Sequence, residues 1–366
     1  MANFTCPYCY KGYDKKLIKY VCADCEAEAV PTGKEPIKCQ AGDCGGLATR
    51  RVCPNPNCDG GDIPRTALQT PNLLFSIVGV STSGKTNYIT VMLNELMNFS
   101  GLRLALSHQT IDTRDHQKKN KHNLYDLQRP VDATDRGGAK SQIWSIKNLA
   151  QAGRGVPTYT FTIYDGAGED HTDMVNVDYI RSSEAFIIVL DPLILDGVRD
   201  FVDPEVIRKS YKEDAQYMEA SEIVSNLITY IKDIKGVPAD KTLDMPVAVV
   251  LTKFDTVRNH PLFRSANKDS SSVIVNGKVR EEEFEEVHNE IENWLRHIGE
   301  HNFLNTLDGS FVKLDRKGRI KERYYRLFAV SSYGSIPQEE GTVPKINPHR
   351  VLDPILWLFK KKKFID

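Results

Sequence analysis

The sequence predicts an α/β protein: a doubly wound, mostly parallel sheet with a small cysteine-rich module at its N-terminus. Three observations predict it. GVSTSGKT at 79–86 lies between an apolar run and a helical pattern. Near-continuous apolar runs then recur, separated by helical stretches. All eight cysteines of the 366-residue chain precede residue 59.

The glycine-rich stretch fits G-x-x-x-x-G-K-[ST], with Gly79, Gly84, Lys85 and Thr86 in place. Leu73 to Val78 reads as a buried strand and Thr86 to Asn98 as a helix, the context this motif requires. Backbone N–H groups in such a loop point at phosphate oxygens, and a helix N-terminus favours negative charge. Ser81, Thr82, Ser83, Gly84 and Asn87 therefore belong to the same phosphate site. Lys85 reaches the β- and γ-phosphates, and the Thr86 hydroxyl binds Mg²⁺.

The remaining strands follow in order. Ser141 to Lys147 reads as a strand, and Gln151 to Gly155 as the hairpin connection after it. Thr158 to Tyr164 runs into Asp165-Gly166-Ala167-Gly168. An Asp at such a strand end holds Mg²⁺ through water, and Gly168 offers its N–H to the γ-phosphate. Glu184 to Leu190 ends in Asp191-Pro192, and Pro246 to Leu251 leads into Thr252-Lys253-Phe254-Asp255. A carboxylate there can accept from guanine N1–H and N2–H₂, a pair adenine does not present. Arg326 to Val330 leads into Ser331-Ser332. Apolar strands alternating with helices indicate a parallel sheet covered on both faces.

The order GVSTSGKT, DGAG, TKFD and Ser331-Ser332 resembles the translation-factor and Ras-like (TRAFAC) class of P-loop GTPases over roughly residues 72–360. The resemblance implies GTP/GDP and Mg²⁺ as ligands and hydrolysis of GTP to GDP. It gives Asp255 the reading of guanine, with Thr252 in the same motif. Lys253 would lie along the base and brace the phosphate loop. Ser331 and Ser332, where the family more often has Ser-Ala, would supply backbone contact to guanine O6.

The family carries Gln or His after its D-x-x-G element to orient water; here Glu169 stands there, followed by Asp170 and His171. Glu169 and His171 are the candidates for that task. The departure implies slow, partner-stimulated hydrolysis, or a nucleotide-dependent adaptor that hydrolyses little. A third reading is an ATPase with Asp191 as the Mg²⁺-side acid. The family also needs a switch Thr. Thr134 is the choice, with Thr110 and Thr113 as runners-up. Arg136 is either a cis arginine finger or a solvated loop arginine. Ser107 to Arg136 is polar, lacks apolar periodicity and reads as a loop or inserted segment.

The cysteines fall as Cys6-x₂-Cys9, Cys22-x₂-Cys25, Cys39-x₄-Cys44 and Cys53-x₄-Cys58. A knuckle lets two thiolates of one tight turn meet the same metal, and tetrahedral Zn²⁺ is the usual occupant. Consecutive pairing makes two zinc sites: Cys6, Cys9, Cys22 and Cys25, then Cys39, Cys44, Cys53 and Cys58. A crossed arrangement, with alternate pairs sharing a metal, is the alternative. Four thiolates leave no open position, so the role is structural. Residues 1–62 hold eight Lys or Arg against eight Asp or Glu, and each zinc with four thiolates adds about −2. That is not a basic footprint for nucleic acid; a protein partner fits the module better.

Residues 1–62 are thus expected as two zinc ribbons, 63–71 as a linker and 72–366 as the nucleotide-binding domain. Insertions fall near 101–140 and 259–320, the second a candidate partner surface. Between TKFD and Ser331 lie 75 residues, with a helix near Arg280 to Gly299 and strands at Phe311 to Leu314 and Tyr324 to Val330 that may pair. Val202 to Ile234 reads as mostly helical, with a stripe that packs on the sheet. Val351 to Phe359 closes the sheet, and Lys360 to Lys363 complements the dipole of that helix. Net charge is −1, and no apolar run reaches the roughly 18 residues that span a bilayer. With no signal peptide evident, a cytoplasmic location is expected. A zinc ribbon joined to such a GTPase is also similar to bacterial conflict-system (double-GTPase-like) GTPases.

Overall fold

The computed structural model describes residues 3–31, 36–58, 60–79, 83–132, 141–151, 156–165, 177–199, 202–205, 219–269, 273–337, 342–343 and 345–366. Seven strands form the central sheet: β1 (Asn72–Gly79), β2 (Leu104–His108), β3 (Ser141–Asn148), β4 (Thr158–Asp165), β5 (Ala185–Leu190), β6 (Val247–Leu251) and β7 (Tyr325–Ala329). Their order is β7-β6-β5-β1-β4-β3-β2. All neighbours pair in parallel except β3, which runs antiparallel to both β4 and β2. Connections from β1 lead to one edge of the sheet and return, then cross to the other side. The strand order therefore reverses at β1, where open α/β sheets place their ligands.

The apolar runs are explained by two-sided burial. Along β5, Phe186, Ile188 and Leu190 enter one core, while Ala185, Ile187 and Val189 enter the other. The first core lies under α3 (Ala220–Lys235), α5 (His301–Phe311) and most of α4 (Glu281–His297). Ile223, Val224, Leu227, Ile228 and Ile231 form the α3 stripe, as helical spacing requires. The second core lies under α1 (Lys85–Asn98) and α6 (Asp353–Lys361). Phe359 of α6 meets Phe75 and Phe161, so α6 closes the sheet. Lys361 and Lys362 pair with Glu281 and Glu184.

Three local expectations are corrected. Much of Ser107–Arg136 is structured: β2 runs into it, and α2 (Ile111–Lys121) continues into a π-helical turn, His122–Asp126. Its order comes from polar packing that periodicity does not reveal. Buried Gln117 and Asn120 donate to the carbonyl and hydroxyl of Thr90 on α1. Second, Val312–Leu314 pairs with Ile320–Arg323 in a hairpin, while β7 joins β6. β7 is the apolar strand and belongs to the core; the charged IKER strand stays outside. Third, residues 63–71 contain the helix Arg65–Gln69, whose Ala67 and Leu68 pack with Ile63, Phe4 and Ile18.

Candidate functional site

At the C-terminal ends of the strands, β1 ends in Gly79, packed so closely that a Cβ would lie 2.4 Å from the Val189 carbonyl. Gly84, at φ +75°, caps α1 in a left-handed conformation that glycine adopts without strain. Lys85 opens the helix and is almost wholly buried. The Ser83 hydroxyl is buried and has no partner among the described residues. A buried unpartnered donor at a helix N-terminus suits an anion's oxygen. Ser81 and Thr82 lie outside the described residues, as do Thr134, Arg136, Gly168, Glu169 and His171. Asp165 ends β4 opposite Ile77, two residues before Gly79. Asn87 uses its side-chain oxygen to hold the Val131 N–H at 2.9 Å, securing the chain that approaches residue 133.

The two runner-up threonines have structural tasks. Thr110 caps α2 through the Thr113 N–H at 3.1 Å, and Thr113 Oγ1 accepts the Ile143 N–H at 2.9 Å.

The TKFD segment follows β6. Thr252 is buried and donates to the Ser83 carbonyl at 2.7 Å, so this residue braces the phosphate loop. Lys253, expected to do so, also meets a buried acid. It sits at φ 49° and places Nζ 2.5 Å from Asp191 Oδ2. The reason is charge: the Asp191 side chain is 1% exposed, and a buried carboxylate needs a cation. Its other oxygen accepts the Leu193 N–H at 3.0 Å. Asp191 thus has a partner at each oxygen.

Asp255 accepts from the Ser331 hydroxyl, and that oxygen in turn accepts the Gly334 N–H at 2.8 Å. Ser331 also forms a backbone bridge with His349: its N–H donates at 3.0 Å and its carbonyl accepts at 2.8 Å. Both of its backbone groups are thus engaged, and Ser332 follows it three residues past the end of β7. His349 stacks on Phe254, with centroids 5.8 Å apart and planes 17° apart. Its Nε2 lies 2.7 Å from the Ala266 carbonyl, so that nitrogen carries the proton. Burial holds the imidazole below the ordinary histidine range. Sequence reading missed His349 and Gly334. Nothing in the spacing of a lone histidine eighteen residues past Ser331 marks it as a wall of this site.

The cysteines correct the expected quartets, and the crossed alternative too. Cys6, Cys9, Cys53 and Cys58 converge, as do Cys22, Cys25, Cys39 and Cys44. The second cluster is nested within the first. Lys19–Val21 pairs antiparallel with Arg50–Val52, which returns the chain to the first knuckle at Cys53. The hairpin of Ile37–Lys38 with Leu47–Ala48 carries Cys39 and Cys44 inside that loop. Sulfur separations of 4.0 Å (Cys6–Cys58), 3.7 Å (Cys9–Cys53), 3.7 Å (Cys22–Cys44) and 3.5 Å (Cys25–Cys39) fit a tetrahedral zinc. With Zn–S of about 2.3 Å, its thiolates stand about 3.8 Å apart. All eight are free thiols, far beyond disulfide length. The nesting has a measurable consequence. Metal analysis of Cys9→Ser/Cys53→Ser should show loss of one zinc, and of Cys9→Ser/Cys25→Ser loss of both. Consecutive quartets predict the reverse.

No helix among the described residues is long and apolar enough to cross a membrane. No protein-family model and no curated protein matches the chain. Among solved structures, it is similar to the Arl6 BBS3 small GTPase from Trypanosoma brucei with bound nucleotide analogue GppNp. The two are 14% identical, with 81% of this chain and 99% of that chain covered, at a TM-score of 0.34. So distant a likeness adds nothing to the geometry above. That geometry is a doubly wound, mostly parallel α/β sheet with Gly79, Gly84 and the start of α1 at its switch point, carrying two four-cysteine clusters fit for zinc.

Proposed function

We propose that the chain is a guanine-nucleotide switch that hydrolyses GTP to GDP slowly and under the stimulus of a partner. The observation that carries this reading is the convergence at the strand ends. Thr252 holds the phosphate loop while Asp255, three residues on, is set by Ser331 beside the stacked Phe254 and His349. One short segment thus ties a phosphate site to a carboxylate suited to guanine.

In this reading Lys85 and the loop N–H groups bind the β- and γ-phosphates. Thr86, Thr134 and Asp165 would hold Mg²⁺, which would neutralise charge on the phosphates. Gly168 meets the γ-phosphate, and Glu169 or His171 positions water. The Ser332 N–H meets guanine O6, since the Ser331 backbone is engaged. Ser331 fixes the carboxylate direction until a base arrives. The zinc module, residues 1–62, binds a protein partner, with 259–320 as a second surface; the nucleotide domain spans 72–366.

Mass spectrometry of the nucleotide released by the denatured protein tests the reading, with single-turnover hydrolysis alongside. GDP or GTP should be released. Adenine nucleotide in its place would remove the guanine claim, and no turnover with or without cell extract would leave a binding protein.

A further inference from the structure

One zinc knuckle reaches out of its own module. Tyr10 follows Cys9 directly, and its N–H closes the knuckle on the Cys6 carbonyl at 2.9 Å. The tyrosine is 1% exposed, yet its ring belongs to the core under α3 rather than to the zinc module. It stands edge-on to Tyr164, centroids 6.1 Å apart, and to Tyr179, 6.0 Å apart. Its hydroxyl hydrogen-bonds with that of Ser141. Its carbonyl accepts from the Ser182 hydroxyl at 2.7 Å. Next to it, Lys11 lies 3.3 Å from Asp178.

These partners are not scattered. Tyr164 immediately precedes Asp165, the proposed Mg²⁺-side acid. Ser141 pairs with Tyr164 across β3 and β4 and is the first residue of β3. Asp178, Tyr179 and Ser182 lie on the helix Val177–Ser182, which follows the DGAG segment in sequence. One side chain therefore touches three elements whose neighbours in sequence carry Thr134, Asp165 and Gly168.

The backbone makes the choice of tyrosine informative. Tyr10, Glu26 and Gly45 each follow the second cysteine of a knuckle, and all three have positive φ: 58°, 59° and 64°. The knuckle demands a left-handed residue there, and glycine meets that demand without strain. A bulky side chain in that conformation is strained. Glu26 spends its side chain on an exposed pair with Arg50. Tyr10 inserts a full aromatic ring into the sheet's core.

We propose that Tyr10 is a positioning residue that couples the Cys6/Cys9/Cys53/Cys58 cluster to the triphosphate end of the nucleotide site. It sets the end of β4 and the helix after DGAG, the elements that must respond to a γ-phosphate. The inference rests on the nucleotide reading above. It predicts that the knuckle favours one nucleotide state over the other rather than binding nucleotide itself.

The test is equilibrium binding of GDP and of a non-hydrolysable GTP analogue to the full chain, with zinc content measured on each sample. Tyr10→Ala should keep both zinc ions and bind GDP as the parent does, while the ratio of the two affinities moves by at least about fivefold. Tyr10→Phe, which keeps the ring and loses only the bond to Ser141, should lie between. Should Tyr10→Ala not fold, Ser182→Ala, which removes only the donor to the Tyr10 carbonyl, reads the same ratio. An unchanged ratio in variants that retain zinc would overturn the proposal, as would an equal loss of both affinities, which marks a merely structural strut. If the parent chain binds neither guanine nucleotide, the nucleotide reading itself fails and this inference falls with it.

Discussion

Replacing Arg350 with alanine should destabilise the protein by about 3–5 kcal/mol, the cost of breaking a buried ion pair from one side. The Arg350 side chain is wholly buried and sits at φ 52°. Its Nε lies 2.7 Å from Asp353, and one terminal nitrogen reaches Glu283 at 3.3 Å and the carbonyls of Ser265 and Lys268 at 3.0 and 3.2 Å. Removing it strands two buried carboxylates and two carbonyls. The same residue holds the 264–268 segment, whose N–H groups at Arg264, Ser265 and Ala266 are gathered by Glu290. Ala266 in turn receives His349. Guanine affinity should therefore fall along with stability. Urea unfolding measures the first effect. Lys19→Ala, which breaks an exposed pair with Glu28, should change it by less than about 1 kcal/mol. An equal, small loss in both variants would refute the network's role.

Lys85→Ala should weaken triphosphate binding by at least about 100-fold with the fold intact. Two charge-assisted hydrogen bonds to phosphate, each about 1.5–3 kcal/mol, account for such a loss. The position is nearly buried at the start of α1, where the helix dipole and the lysine charge would act on the same anion. Fluorescence titration with a labelled triphosphate measures it, and far-UV circular dichroism confirms the helix. Binding within tenfold of the parent would mean that phosphate is held elsewhere.

Much of this architecture is legible in the chain. Strands buried on both faces must be apolar throughout, so β1, β5 and β6 announce themselves within a residue or so of their ends. The glycines at 79 and 84 report a close approach and a left-handed turn that no other residue makes cheaply. What stayed hidden was held by polar contacts. Helix α2 packs through Thr113, Gln117 and Asn120, which carry no apolar period. The zinc grouping depends on which short strands pair, and knuckle spacing is silent on that. The pairing of Lys253 with the buried Asp191, and the bond from the Thr252 hydroxyl to the Ser83 carbonyl, are not marked by the motif. Local chemistry was readable; the long-range pairings of charges and thiolates were not.

The central claim is that Asp255 selects guanine. Calorimetric titration of GTP and ATP, in Mg²⁺, against the parent chain and Asp255→Asn addresses it most directly. The geometry predicts that the parent prefers GTP by at least about 100-fold, two hydrogen bonds to a carboxylate being involved. Asp255→Asn should abolish that preference while leaving ATP binding unchanged. Equal affinity of the parent for GTP and ATP, indifferent to the substitution, would contradict the account.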